Sequence, residues 1–258
     1  MERRLRTANL CMMRMARVWD AVQRLYPKVV PKENPFRGVE MWHGNDTARA
    51  ASRTEAYALH AALIAAGEPH LAAVPLICFE WHQRPENVLS GYLTWANYKP
   101  AGGRNTVLIE HHKTGKQVPM PLWDREPLFP ELTQYLDCLE RLGVPIVLMK
   151  PKRLRDGAKA AVPRPFLLRT ARNRVRKIAR AAGLPDYLTL EACRHGGITE
   201  LADAGATEQE GMASTGHATP EAFRIYAKQT TAQRTNAQRK RRILLALEKE
   251  QDEDKSQK

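Results

Sequence analysis

Apolar positions recur at helical spacing over most of the chain, and the breaks between these runs divide it into elements. Leu10, Met13, Ala16 or Val18, Ala21 and Leu25 return every three to four residues among basic ones, which predicts a helix within residues 1–30. The segment Tyr26-Pro-Lys-Val-Val-Pro-Lys-Glu-Asn-Pro-Phe36 carries three prolines and cannot continue that helix. It reads as an extended linker, with a boundary near residues 27–46. Beyond it, Thr54 can cap a helix running through Ala66 and closed by Gly67. A second apolar helix, Leu71 to about Trp81, follows the Glu68-Pro69 break. The period then changes. Tyr92–Tyr98, Thr106–His111 and Gln117–Leu122 are short β-rich runs separated by glycine-bearing segments at 100–103 and 113–116, the pattern of a small antiparallel meander. From Glu131 the helical pattern returns, and the chain after Arg239 predicts a short amphipathic helix followed by a disordered polar tail. The fold class expected is mainly α (α+β), a helical domain with a small three-stranded antiparallel sheet.

Composition narrows the partner. Hydrophobic residues make up 43% of 258, ordinary for a folded protein, while 41 Lys and Arg against 28 Asp and Glu leave a net charge of +13. Such a charge calls for a polyanion, nucleic acid or an anionic membrane surface. No run approaches the roughly 18 apolar residues that span a bilayer. Arg14 and Arg17 also interrupt what would be the apolar core of a signal peptide. A cytoplasmic protein acting on nucleic acid is the expectation, with no membrane partner. Cys11, Cys78, Cys138 and Cys193 lie far apart without a Cys-x-x-Cys pair, and the eight histidines lack metal-ligand spacing. The sequence therefore calls for no metal or other cofactor.

The charge is concentrated. Residues 151–180 hold 11 Lys and Arg against one Asp. Within them Arg169, Arg172, Arg176 and Arg180 fall on one helical face and Ala171, Val175, Ile178 and Ala182 on another, so one face is expected to pack and the other to meet DNA phosphates. Residues 200–222 contain five acidic residues and no Lys or Arg, a surface expected to face protein or water.

The most specific pattern lies downstream. Arg194-His195 is followed by Gly216-His217 and then by Tyr226, with intervals of 23 residues from Arg194 to His217 and nine from His217 to Tyr226. In this order and spacing the chain resembles the tyrosine recombinases, the phage-integrase family, over roughly residues 47–230. Cys193-Arg-His-Gly-Gly-Ile-Thr-Glu-Leu-Ala-Asp-Ala-Gly205 is similar to the family's second-arginine helix and the turn after it. Gln83-Arg84-Pro85-Glu86-Asn87-Val88-Leu89, ending at Trp95, is similar to its first-arginine box, and His112-Lys113-Thr114-Gly115-Lys116 to the β-turn that carries its lysine. Lys116 competes with Lys113 on that turn.

The resemblance implies an integrase-like fold and DNA cleavage without a metal. That chemistry needs a nucleophile, counter-charge for a pentavalent phosphorus and a proton for the 5′ oxygen. Tyr226 would form a 3′-phosphotyrosyl bond that stores the phosphodiester energy. Arg84 and Arg194 can each grip non-bridging oxygens in a bidentate fork. Lys113 is the candidate general acid, and His217 would bond the phosphate or help to deprotonate the tyrosine. Thr219 as N-cap, Pro220 at the first helical position and Glu221 in the first turn place Tyr226 about two turns into a short helix.

Three departures accompany the likeness. Glu191 stands three residues before Arg194, where the family often carries histidine, and it could pair with Arg194 or His195 or accept a proton from Tyr226. His195 lies about 100° around the helix from Arg194, given 3.6 residues per turn. Asn87 replaces a common acidic residue. Only some 30 residues precede the proline-rich segment, room for the last helix of a core-binding domain and not for the helices before it. The expected activity is site-specific recombination by a homotetramer on paired sites in double-stranded DNA, with an accessory DNA-bending protein as a possible further partner and residues 230–247 as an arm docking on a neighbour. The rival readings are a catalytically inert DNA-binding integrase remnant and a type IB topoisomerase.

Overall fold

The computed structural model describes residues 2–41, 49–103, 105–110, 115, 117–150, 162–226 and 230–256. The chain divides into two compact units, Met1–Thr47 and Ala48–Lys258. No helix among the described residues is long and apolar enough to cross a membrane.

In the first unit, helix α1 (Glu2–Leu25) stops before Pro27, whose ring cannot continue it. The segment after it is not the extended linker expected, because it folds back on α1. Asn34 is buried and donates to the Ala16 carbonyl at 2.9 Å and to Asp20 Oδ1 at 2.7 Å. Trp19 donates to the Pro31 carbonyl and meets the Phe36 ring edge-on at 5.9 Å. A buried amide satisfied from α1 outweighs the extended preference of three prolines.

The second unit is built around two helices, α2 (Arg53–Ala65) and α3 (Pro69–Glu80). Ser52, and not Thr54, caps α2: its hydroxyl accepts from the Glu55 N–H while the Glu55 carboxylate accepts from the Ser52 N–H. This reciprocal pair satisfies two otherwise orphaned donors and contributes about 1 kcal/mol. Helix α3 is apolar all round and buried from His70 to Glu80, the mark of a central helix. Its one buried carboxylate, Glu80, accepts from Arg53 and from Tyr57 at 2.6 Å each, and Arg53 also holds Glu200 of α7 (Leu190–Asp203). One guanidinium thus ties three helices together.

Helix α4 (Pro85–Leu89) follows α3 after a sharp corner. Strands β1 (Thr106–Glu110) and β2 (Gln117–Pro121) pair antiparallel, Thr106 opposite Pro121 and Glu110 opposite Gln117. Val107, Ile109 and Met120 of this ribbon are buried. The sheet has two strands among the described residues instead of three. Tyr92–Tyr98 makes only single bridges, Thr94 to Pro145 and Tyr98 to Val107. Its backbone turns at Thr94–Asn97 and Lys99 takes a positive φ of 51°, so the alternating residues never extend.

Helix α5 (Pro130–Cys138) and helix α6 (Leu168–Ala181) flank the centre. In α6, Ala171, Val175 and Ala179 are buried, Ile178 is half-buried, and Arg169, Arg172, Arg176 and Arg180 are exposed. Ala182 is exposed past the helix end, so Ala179 takes the packing place expected of it. Two of the four arginines hold carboxylates: Arg180 pairs with Asp186 at 2.7 Å and Arg172 with Glu191. Lys152, Arg153, Arg155 and Lys159 of the basic stretch lie outside the described residues.

Helices α8 (Glu208–Thr215) and α9 (Pro220–Arg224) complete the unit with α10 (Thr231–Ser256). The last is one helix, longer than expected, because Thr231–Ser256 contains no Gly or Pro and is rich in strong helix formers. Asn236 donates to the Asp203 carbonyl and Lys240 to that of Gly205, which seats α10 on the end of α7. The acidic stretch 200–222 is likewise used internally: Glu200 holds Arg53, Asp203 accepts from Thr230, and Glu208 and Glu221 flank Arg224.

Candidate active site

Two glycines fix the position of Arg194. At Gly197 a Cβ would lie 1.9 Å from the Phe79 carbonyl oxygen, and at Gly196 a Cβ would lie 1.9 Å from that of Ala51. Helix α7 therefore crosses α3 backbone against backbone, a contact that only glycine permits. The approach is reinforced on the Gly196 side by the Ala51 N–H, which donates to the Ala192 carbonyl. Arg194, one turn before Gly197, is carried to the C-terminal end of α3 and is only 4% exposed.

There the chain turns through His82, which is buried and holds a positive φ of 54°. Its Nδ1 is 3.0 Å from the Ser214 hydroxyl. Burial first, then the charge of Arg194, pushes the His82 imidazole down to about 4, so it is neutral at physiological pH. Arg84 follows as the exposed N-cap of α4, with Pro85 at the first helical position.

The other side of the site comes from α8 and α9. Gly216 ends α8 in the left-handed conformation, φ 70°, and turns His217 back toward Arg194. His217 Nε2 lies 3.3 Å from Arg194 Nη2, and its Nδ1 lies 2.7 Å from Thr215 Oγ1. Thr219 then caps α9 by accepting from the Ala222 N–H. The helix is only five residues long, and Tyr226 sits in the turn just past it, not two turns inside. Ile225 closes the helix, and the Tyr226 N–H bonds back to the Phe223 carbonyl.

Phe223 anchors that turn. It is buried, and its ring lies so close to Gly211 of α8 that a Cβ there would stand 2.1 Å away. Gly211→Ala is expected to lift α9 and displace Tyr226. Any reaction at Tyr226 should then fall at least tenfold while DNA affinity holds, because an ångström of misplacement is costly in catalysis. Gel-shift and adduct assays on the same preparation check this.

The Tyr226 ring lies parallel to His217 at 5.4 Å and edge-on to His195 at 4.8 Å. Its phenol lies within the electrostatic reach of Arg194. Burial, then the neighbouring charge of Arg84, pushes Arg194 down to about 10. Its Nη1 is buried without a partner. A desolvated guanidinium with spare donors, beside a second one, is built to receive an oxyanion. The phenol beside it is placed to attack the centre that this oxyanion belongs to.

Of the residues expected from sequence, Arg84, Arg194, His217 and Tyr226 thus come together. His195, 100° around the helix, comes with them. Lys113 and its competitor Lys116 lie outside the described residues. Glu191 bonds to Arg172 of α6 and not to Arg194 or His195, so a neighbouring helix balances its charge. His82, Thr215, Ser214 and Gly211 were not anticipated. Thr215 could have been suspected beside Gly216-His217; nothing local marks His82. Among the described residues no group of three or more His, Cys, Asp or Glu could hold a metal.

No known family model matches the chain, and no curated protein matches it in sequence. Solved structures do match in shape. A lambda integrase (75-356) dimer bound to a COC′ core site superposes with a TM-score of 0.65 at 14% identity, over 89% of this chain and 76% of that one. The longer lambda integrase chain of a second such dimer is covered to 60%. The Tn1549 transposon integrase in complex with transposon right end DNA gives a TM-score of 0.60 at 14% identity, over 92% and 84%. XerA recombinase gives 0.54 at 15% identity, over 87% and 74%. The chain has the fold of the tyrosine recombinases.

Proposed function

We propose that this chain is a tyrosine-type site-specific recombinase of the phage or genomic-island kind, which cleaves and rejoins double-stranded DNA through a 3′-phosphotyrosine. The observation that carries the reading is the meeting of Tyr226 with the buried Arg194, itself held by His217 and coupled to Arg84. Arg84 and Arg194 hold the non-bridging oxygens of the scissile phosphate and neutralise the charge that grows on them. The Tyr226 oxygen attacks phosphorus, and the 5′ oxygen leaves with a proton from Lys113. Religation by an incoming 5′ hydroxyl reverses these steps.

Residues 47–230 are the catalytic domain in this reading. The exposed arginines of α6 are its phosphate-contacting face, and the helix after residue 231 is the arm that docks on a neighbour in a tetramer. The neighbours in fold, DNA-bound integrases among them, support a DNA partner. The pairing of Glu191 with Arg172 relieves the phosphate site of an uncompensated carboxylate, which favours the active enzyme over an inert remnant.

A nicked duplex that releases its 5′ fragment on cleavage tests the proposal. The protein is expected to leave a denaturation-resistant DNA adduct that Tyr226→Phe lacks, with Arg84→Ala and Arg194→Ala slower by at least about a hundredfold. DNA binding without any adduct, on every attachment sequence tried, would leave the inert DNA-binding reading instead.

A further inference from the structure

Two imidazoles lie against the Tyr226 ring, and hydrogen-bond bookkeeping separates their roles. A guanidinium can only donate, so His217 Nε2 accepts from Arg194 Nη2. The ring hydrogen of His217 is then on Nδ1 and goes to Thr215 Oγ1, whose own hydroxyl donates to the Gly211 carbonyl at 2.7 Å. Every step of this relay has a fixed direction. A second proton on His217 would set an N–H against the Arg194 N–H, donor against donor, in a buried site. His217 is thus an acceptor that orients Arg194, and its basic lone pair is already engaged. Glu191, the carboxylate on the same helix, is held by Arg172. Among the described residues, the other imidazole against the Tyr226 ring is His195, whose ring meets the phenol ring edge-on at 4.8 Å.

We propose that His195 is a catalytic residue, the acceptor of the Tyr226 phenol proton. The inference rests on the recombinase reading above and assigns the base within it. In the step, the Tyr226 O–H bond breaks and its proton passes to an imidazole nitrogen of His195. The freed electron pair forms the bond from the phenolic oxygen to phosphorus. The bond from phosphorus to the 5′ oxygen breaks, and its pair leaves on that oxygen, which is protonated by the general acid. On religation His195 returns the proton to Tyr226. No oxidant, metal or nucleotide is consumed.

The test compares His195→Ala, His195→Phe and wild type in the full chain on the nicked duplex. Adduct formation is timed, and DNA affinity is measured in parallel. Both variants are expected to bind DNA as wild type does and to form the adduct about a hundredfold more slowly, within the range for a lost general base. Added imidazole is expected to restore the rate of His195→Ala about tenfold or more and to do nothing for Tyr226→Phe. Wild-type rate in His195→Phe would reduce the role to ring packing and overturn the proposal. So would a slow His195→Ala that imidazole leaves unchanged. Absence of an adduct from wild type itself would instead overturn the recombinase reading, and this inference with it.

Discussion

Gly197→Ala is expected to unfold the second unit. The added methyl would stand 1.9 Å from the Phe79 carbonyl oxygen and 2.7 Å from its carbon, so backbone and not a side chain must yield. Helix α3 cannot retreat, since almost every residue along it is buried. The half-buried Arg53–Glu80 pair and its Glu200 extension span the same junction and would be pulled apart together. The cost should reach about 5 kcal/mol or more, the range reserved for severe core changes and comparable to the whole stability of many domains. Urea denaturation followed by circular dichroism checks it. A folded Gly197→Ala protein with a midpoint near that of wild type would show that α7 does not cross α3 at this distance.

Arg194→Met is expected to do the opposite to stability while destroying activity. Burial, then the charge of Arg84, pushes the Arg194 pKa down to about 10. The depression means that folding disfavours the charged form. The group stays charged at all pH values below about 10 in both folded and unfolded chains, so the cost is present throughout the physiological range and fades only as pH rises past 10. Its size is on the order of 3 kcal/mol. An apolar side chain of similar volume removes it, and such replacements commonly stabilise. The Tm should therefore rise by a few degrees, while strand cleavage falls at least about 10²- to 10³-fold for want of oxyanion donors. Inorganic phosphate should raise the wild-type Tm by ligand linkage and leave that of Arg194→Met unmoved. Thermal melts with and without phosphate read both effects.

Much of this was legible in the sequence because its signals are local or strictly spaced. Helices α2, α3 and α6 follow from period and punctuation, α7 was marked by its likeness to the family's second-arginine helix, and the intervals from Arg194 to His217 to Tyr226 reflect a helix, a left-handed glycine and a short capped helix in fixed order. One miss was local, the Ser52 cap, and the rest depends on tertiary contact. Ser52 displaces Thr54 as a cap because Glu55 lies three residues after it and completes the reciprocal pair. Tyr92–Tyr98 alternates like a strand, yet its turns at Thr94 and Lys99 keep it from pairing along its length. Asn34 finds its partners on α1 across 14 and 18 residues, a distance over which a proline count carries no information. Glu191 faces α6, not the helix it belongs to, so its i+3 and i+4 neighbours were the wrong place to seek a partner. His195 points to Tyr226 because α9 ends before the tyrosine, and the helical wheel of α7 alone could not show it.

The central claim concerns one bond, that between the Tyr226 oxygen and a DNA 3′ phosphate. The most direct measurement is peptide mapping by mass spectrometry of the covalent adduct trapped on a nicked duplex, after nuclease and protease digestion. The mass of a phosphonucleotide is expected on the peptide that contains Tyr226, and on no other tyrosine peptide. An adduct mapped to a different residue would contradict the account, as would a trapped complex that Tyr226→Phe forms equally well.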